Sequence, residues 1–361
     1  MKAVILAGGR GTRLRPLTSD TPKGLVPVVN RPFIEYQIEL LRGHGIHRVV
    51  LSLNYLSHEF SRRLQDGARW GLCIEYAVEK VPLGTAGAMK NCEACLDGER
   101  VLVLNGDVLT DADLARLIAE HEERGSEVTI TTVAVDDPAA YGLVIADSDG
   151  LVTGFLEKPG CDEAAANTIN AGIYVIEPSV ISALTPGREI SFEREVIPAL
   201  LARGAAVRAH TSRDYWLDIG TLRNYLKAHM DILDKRIDVV IPGRRTGRGV
   251  WSGKNAQVHR TARIGGPVVM GHHVVVQARA EVGPRAVLGN GCTVGEGAHV
   301  SEAVIHDGAQ VGKGARVTRC IVAAMARIGD GCHLDSMVVA QASIVGAGTR
   351  VVPELLAPAA G

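Results

Sequence analysis

From residue 258 onward one apolar residue recurs every six positions, and that spacing restricts the fold more than any other feature of the 361-residue chain. The series runs Val258, Ile264, Met270, Val276, Val282, Leu288, Val294, Val300. It then steps by five, six and six: Ile305, Val311, Val317, then Val322, Ile328, Leu334, then Val339, Val345, Val351. Gly follows several of these residues, at 265, 271, 283, 289 and 295. Seventeen such units predict a parallel β-helix. Each apolar residue points into a narrow prism, and small residues or Gly turn its corners. Three units make one coil, so five to six coils are expected.

The first 235 or so residues have a different grammar. Ala3–Ala7, Val49–Leu53, Cys73–Val78, Val101–Leu104, Val128–Val135 and Gly172–Ile176 are short, rich in apolar residues and bounded by turn residues, as strands are. Phe33–Arg42, His58–Asp66, Asp111–Arg124 and Phe192–Ala202 are helix-like. Strands alternating with helices predict an α/β fold with a mostly parallel sheet. Such sheets bind ligands at the carboxyl ends of their strands, so the loops after strands are where chemistry is expected. Between the halves, residues 238–254 hold Pro242, four Gly and Arg244, Arg245 and Arg248, and read as a linker. The predicted division is therefore 1–237, linker 238–254, and repeat domain 255–361.

Charge and cysteine content narrow the function. Lys and Arg number 39 and Asp and Glu 40, for a net charge of -1. A near-neutral chain lacks the electrostatic footprint of a non-specific nucleic-acid or membrane binder. No apolar run approaches the length of a membrane span. The seven Cys are odd in number and widely spread, which predicts reduced thiols and a cytoplasmic setting. Cys92-x-x-Cys95 has no second pair at zinc spacing and reads as helix packing.

The first strand runs into Gly8-Gly9-Arg10-Gly11-Thr12-Arg13-Leu14-Arg15-Pro16-Leu17-Thr18. Glycines after a strand let backbone N–H groups cradle phosphates, and an Arg adds a fork of donors. The run is neither a P-loop nor a dinucleotide fingerprint. Together with Pro22-Lys23 it resembles the signature of the sugar-1-phosphate nucleotidyltransferases. Further matches follow in the family's order: Pro82-Leu83-Gly84-Thr85-Ala86-Gly87, Asn105-Gly106-Asp107, Tyr141-Gly142, Phe155-Leu156-Glu157-Lys158-Pro159, Ile169-Asn170-Ala171-Gly172 and Trp216-Leu217-Asp218. The likeness covers nearly the whole chain and is greatest to the branch that joins GTP to mannose 1-phosphate. Gly24 departs from it, because relatives carry Pro after the lysine.

The resemblance implies a Rossmann-like nucleotidyltransferase domain followed by a left-handed β-helix. It also implies that a sugar 1-phosphate attacks the α-phosphorus of a nucleoside triphosphate. Leu6, Ala7, Gly8, Gly9, Gly11, Thr12, Arg13, Lys23, Glu79, Gly84 and Asp107 would then bind the nucleotide. Asp107 and Asp218 would hold Mg²⁺, a cation suited to carboxylate oxygens. Arg13 and Lys23 would serve the phosphates at the reaction centre, and Lys158 the sugar phosphate. Gly142, Glu157 and Asn170 would contact the sugar. A homo-oligomer built through the β-helix is expected.

Glu79 follows the strand Cys73–Val78, at a position where thymidylyl- and uridylyl-transferring relatives carry Gln. A carboxylate only accepts hydrogen bonds, and guanine offers two adjacent donors, N1–H and the 2-amino group. Glu79 and the backbone at Gly84 therefore point to GTP. Transfer from UTP or dTTP to glucose 1-phosphate, and transfer from GTP to a heptose or cyclitol phosphate, remain open on the residues alone. Two other classes of function need separate consideration. His272, His273, His299, His306 and His333 raise an acyltransferase in the repeats, but the chain after the last repeat leaves little for an acyl-CoA arm. A non-catalytic regulatory subunit would be expected to have lost cations or carboxylates that this chain keeps.

Overall fold

The computed structural model describes residues 1–135, 137–157 and 168–351. The chain forms two compact units, and neither is continuous in sequence. One comprises Met1–Arg10, Pro22–Leu25 and Ile34–Asp218; the other comprises Gly11–Thr21, Val26–Phe33 and the chain from Ile219 onward.

The first unit is built on a nine-stranded sheet. Its centre is parallel: Lys2–Leu6 lies between Arg48–Leu53 and Val101–Asn105, with Cys73–Val78 beyond Arg48–Leu53. These strands read as unbroken apolar runs because helices cover both faces. Val4, Val50 and Val103 pack to one side with Ala86 and Met89 of helix Gly84–Asn91 and with Ile197 and Leu200 of helix Ile197–Ala202. Ala3, Ile5, Leu51 and Leu104 pack to the other side with Ile34, Ile38 and Leu41 of helix Ile34–Gly43, Phe60 of helix Ser57–Leu64, and Leu114 and Leu117 of helix Leu114–Arg124. Thr168–Ile176 runs antiparallel to Val101–Asn105 and opens an antiparallel flank with Val128–Ala134 and Gly142–Ala146, which in turn pairs with Val152–Glu157. Val207–Thr211 pairs parallel to Val128–Ala134. The Rossmann-like, mostly parallel architecture expected from the sequence is present, and the flank adds the strand pairs Gly142–Ala146 and Val152–Glu157.

In the second unit three parallel ladders form a three-sided β-helix. Partners are 18 residues apart in the first coils, as in Ile264 with Val282, and 17 apart later, as in Thr293 with Gln310. Glu302, Arg319 and Ser336 turn the shortened corners with left-handed backbone, which explains the five-residue steps in the repeat. Val276, Val282, Leu288 and Val294 fill the prism, and the small side chains Ala280, Ala286, Cys292 and Ala298 alternate with them. Cys292, Cys320 and Cys332 are three of these small interior residues, all buried. Part of the predicted linker is ordered as a hairpin, Arg244–Gly247 against Val250–Ser252, and its second strand starts one ladder.

The same unit holds the helix Leu222–Leu233, started by Thr221, whose side chain accepts from Asn224 N–H. Tyr225, fully buried, donates its hydroxyl proton to Pro27 O. The ring Nε2 of His306, in the β-helix, lies 3.1 Å from the same hydroxyl. Val29 N–H donates to His229 Nδ1 at 3.2 Å. Asn30 Nδ2 donates to Leu288 O at 2.8 Å, and Gln341 Nε2 donates to Asp20 Oδ2 at 2.8 Å. Asp20 and Asn30, which follow the glycine-rich run, are thus fastened to the β-helix, and Pro27 and Val29 to the helix beside it.

Candidate active site

At the carboxyl end of the first strand, Leu6 lies in register with Ser52 on one side and Asn105 on the other. Ala7 N–H donates to Ser52 O and Gly106 N–H donates to Leu6 O, both at 2.9 Å. The chains are so close that a Cβ on Gly106 would sit 2.7 Å from Leu6 O. Only Gly fits there, and its fit puts Asp107 immediately beyond the sheet edge. Asp107 leads into Val108–Thr110, which pairs antiparallel with Trp216–Asp218 and sets Asp218 opposite Val108. Two carboxylates 111 positions apart in sequence are thereby brought to one place.

Lys23 joins them. Its ammonium is 2.5 Å from Asp107 Oδ2 and 3.9 Å from Asp218 Oδ1. Lys23 and Asp218 are each 14% exposed and Asp107 31%, so the cluster is open to a ligand without being dispersed in solvent. Gly24, the departure noted in the signature, is buried beneath the Phe60 ring, where a Cβ would be 3.1 Å from the ring carbons. Phe60 fills the room that a proline would need.

Gly8 and Gly9 leave the sheet beside Glu79, with the Cβ position of Gly8 3.3 Å from Glu79 Oε1. Glu79 is buried. Its Oε1 accepts from Ser52 Oγ and its Oε2 from Leu83 N–H, both at 3.0 Å. Burial pushes its carboxyl above the ordinary range, and these two hydrogen bonds oppose the rise. Gly84 follows with φ +70° and starts the helix Gly84–Asn91; a Cβ there would stand 2.5 Å from Ile190 O. Gly11, Thr12 and Arg13 lie in the second unit, where Gly11 has φ 60° and its carbonyl accepts from Thr18 Oγ1 at 2.7 Å. Thr12 and Arg13 are exposed.

The residues expected to meet the sugar lie on neighbouring strands. Gly142 pairs with Glu157, and Leu143 pairs with Ile169, next to Asn170. Lys158 is outside the described residues. Asn170 leads to a network that sequence reasoning missed. Its Nδ2 donates to Tyr174 OH at 2.6 Å, and Tyr174 OH donates to Glu193 Oε1 at 3.2 Å. Glu193 Oε2 accepts from Thr85 Oγ1 at 2.7 Å and from Ser191 Oγ at 3.0 Å. Glu193 therefore ties Asn170 to Thr85, in the first turn of the helix Gly84–Asn91. In the sequence it looks like any solvated helix charge.

Cys92, of the Cys92-x-x-Cys95 pair, is a core residue whose thiol burial pushes up to about 12. No group of three or more His, Cys, Asp or Glu able to hold a metal occurs among the described residues.

A Rossmann-like sheet with a glycine-rich turn after its first strand, and a Lys-Asp-Asp cluster beyond its central strands, defines a nucleotidyltransferase. The chain belongs to the nucleotidyl transferase family, which it matches over residues 2–235. Residues 247–352 match the left-handed β-helix (LbH) domain of the EIF2B epsilon subunit, so the β-helix is of the left-handed class. A mannose-1-phosphate guanylyltransferase of Mycobacterium tuberculosis is 38% identical over 307 residues, 84% of this chain and 79% of that protein. A UTP–glucose-1-phosphate uridylyltransferase of Synechocystis is 33% identical over 322 residues, 85% of this chain and 83% of that protein. Among solved structures, HddC from Yersinia pseudotuberculosis complexed with GMP-PN is similar, with TM-score 0.56 and 30% identity, over 64% of this chain and 99% of that one.

Proposed function

We propose that this chain joins GTP to mannose 1-phosphate, giving GDP-mannose and pyrophosphate. The observation that carries the reading is the convergence of Lys23, Asp107 and Asp218 at the carboxyl edge of the central strands. A phosphate oxygen of the sugar 1-phosphate forms a bond to the α-phosphorus, and the bond from that phosphorus to the bridging oxygen of the β-phosphate breaks. The nucleophile is already anionic, so no base is required. The barrier lies in bringing two polyanions together and in stabilising the leaving pyrophosphate. Lys23 serves the phosphates at the reaction centre, Arg13 the departing pyrophosphate, and Lys158 the sugar phosphate. Gly142, Glu157 and Asn170 hold the sugar hydroxyls.

Asp107 and Asp218 suit a divalent cation, because the two carboxylates already share one cation, the Lys23 ammonium. Mg²⁺ held there would neutralise charge on the triphosphate. Leu6 to Gly9, Gly11, Thr12 and Gly84 offer backbone to the nucleotide. Glu79 supports GTP: each of its oxygens accepts one protein hydrogen bond and keeps a lone pair for N1–H and the 2-amino group of guanine. The proposed setting is the cytoplasm, and the proposed assembly is a homo-oligomer through the β-helix.

The second reading is UTP or dTTP with glucose 1-phosphate, favoured by the uridylyltransferase likeness. A pyrophosphate-release panel of four nucleoside triphosphates against several sugar 1-phosphates tests both. The expected maximum is GTP with mannose 1-phosphate. Preference for UTP or dTTP would overturn the guanine reading, and no release with any pair would overturn the transferase reading.

A further inference from the structure

Gln37 has no part in the roles assigned above, yet it grips the segment that carries Asp107. It lies on the helix Ile34–Gly43 and its side chain is buried, at 2% exposure. Its Nε2 donates to Asn105 O at 2.8 Å and to Val108 O at 3.1 Å. Those carbonyls bracket the Gly106-Asp107 dipeptide. Asn105 ends one strand and Val108 starts another that pairs elsewhere, so the chain changes partners across this dipeptide. At the change, both N–H donors of one side-chain amide serve the flanking carbonyls. The other amide atom, Oε1, is buried and has no hydrogen-bond partner among the described residues. An orphaned buried acceptor is unfavourable. An apolar side chain of the same length would avoid it and would lose the two donors. The residue present keeps the donors.

We propose that Gln37 is a positioning residue: by pinning Asn105 O and Val108 O it fixes the Asp107 backbone, and so the direction in which its carboxylate meets the cation and phosphates. This rests on the reading of Asp107 as a ligand given above. Gln37 itself bonds to backbone carbonyls and acts only through them. Two donors at fixed separation leave the dipeptide little freedom to slide along the sheet edge. A carboxylate misplaced by a fraction of an ångström still lies near the substrate but no longer meets it squarely.

The test uses the full-length protein with Gln37→Met, which removes the donors and also the orphaned acceptor. Gln37→Glu, which keeps the shape but cannot donate when ionised, is the second variant, and Asp107→Asn the reference. Folding is checked by circular dichroism and thermal melting. Mn²⁺ binding is read by electron paramagnetic resonance without turnover, and kcat and the apparent KM for Mg²⁺ by pyrophosphate release. Residues that orient a metal ligand typically change affinity or activity by about 10–100-fold. Folded Gln37→Met is expected to show that loss in Mn²⁺ affinity, with a raised KM for Mg²⁺ and a smaller fall in kcat at saturating metal. Should Gln37→Glu fail to fold, Gln37→Met alone decides the matter. A purely structural glutamine would lower the melting temperature and leave Mn²⁺ affinity and KM for Mg²⁺ unchanged; that result, with Asp107→Asn inactive, overturns the proposal alone. Full activity and Mn²⁺ binding in Asp107→Asn would overturn the site reading and the proposal together.

Discussion

Acid should loosen the second unit at its two buried histidines. Burial lowers His306 from 6.5 to about 4, against a weaker opposing effect of Asp307, whose Oδ1 and Oδ2 face Asn290 N–H and Nδ2–H. Burial also holds His229 well below its ordinary value, and the nearby His306 ring adds to the effect. Both rings are therefore neutral at pH 7. Below pH 6.5 the unfolded chain takes up a proton at position 306 that the folded chain refuses until about pH 4. Stability therefore falls as pH drops through that window and gains nothing from this group above it. At ~1.4 kcal/mol per pH unit, His306 alone accounts for roughly 3 kcal/mol. That corresponds to a fall in Tm of about 6–12 °C for a cooperative unit of this size. Calorimetry at fixed ionic strength between pH 7 and pH 4.5 measures it, with His306→Gln as the comparison. The amide keeps a donor toward Tyr225 but does not titrate, so the variant's Tm should fall less steeply with acid. Parallel curves for the two proteins would refute the argument that a refused proton at His306 sets the acid limit.

Three further outcomes are expected. Asp107→Asn and Asp218→Asn should each lower kcat about 10²–10³-fold while the circular dichroism spectrum stays native; pyrophosphate release at saturating Mg²⁺ measures this. Glu79→Gln should weaken GTP use by roughly 1.5–3 kcal/mol and raise relative use of UTP and dTTP, seen as a changed ranking of kcat/KM. Gly84→Ala forces a Cβ to 2.5 Å from Ile190 O at φ +70°, and should cost about 1–3 kcal/mol of stability in urea unfolding and raise KM for the nucleotide.

What the sequence disclosed follows from how each element is buried. Lys2–Leu6 and Val101–Asn105 are covered on both faces, so they stand out as apolar runs and their bounds lie within one residue of those expected. The prism repeats because each ladder demands one interior residue per side, and even its five-residue steps were visible in the spacing, although only the structure shows them to be shortened corners. Gly142–Ala146 ends in exposed residues, and Val207–Thr211 contains a buried histidine, His210, held by Glu120 at 2.6 Å. Neither looks like a core strand. The meeting of Lys23 with Asp107 and Asp218 has no spacing rule behind it; a likeness of motifs suggested it and tertiary structure makes it. Gln37 and Glu193 were illegible because a buried amide and a carboxylate hub match ordinary helix-surface residues until their partners are known.

The anchoring of Asp20 and Asn30 has a consequence for the order in which a newly made chain becomes competent. Asn30 must wait for Leu288, 258 residues later, and Asp20 for Gln341, 321 residues later. At about 5–20 residues per second, the first of these delays is roughly 10–50 s of synthesis. Through that interval the parallel strands Lys2–Leu6, Arg48–Leu53 and Val101–Asn105 can already pair, because all three emerge early. The segment between Gly11 and Phe33 cannot complete its contacts until most of the prism has been made. Sequence-distant closure of this kind is slow for reasons of loop entropy. In time, the oldest part of the nascent chain is among the last to be secured, and a ribosome stalled at codon 280 would hold a formed sheet while Asn30 and Asp20 still lack their Leu288 and Gln341 anchors.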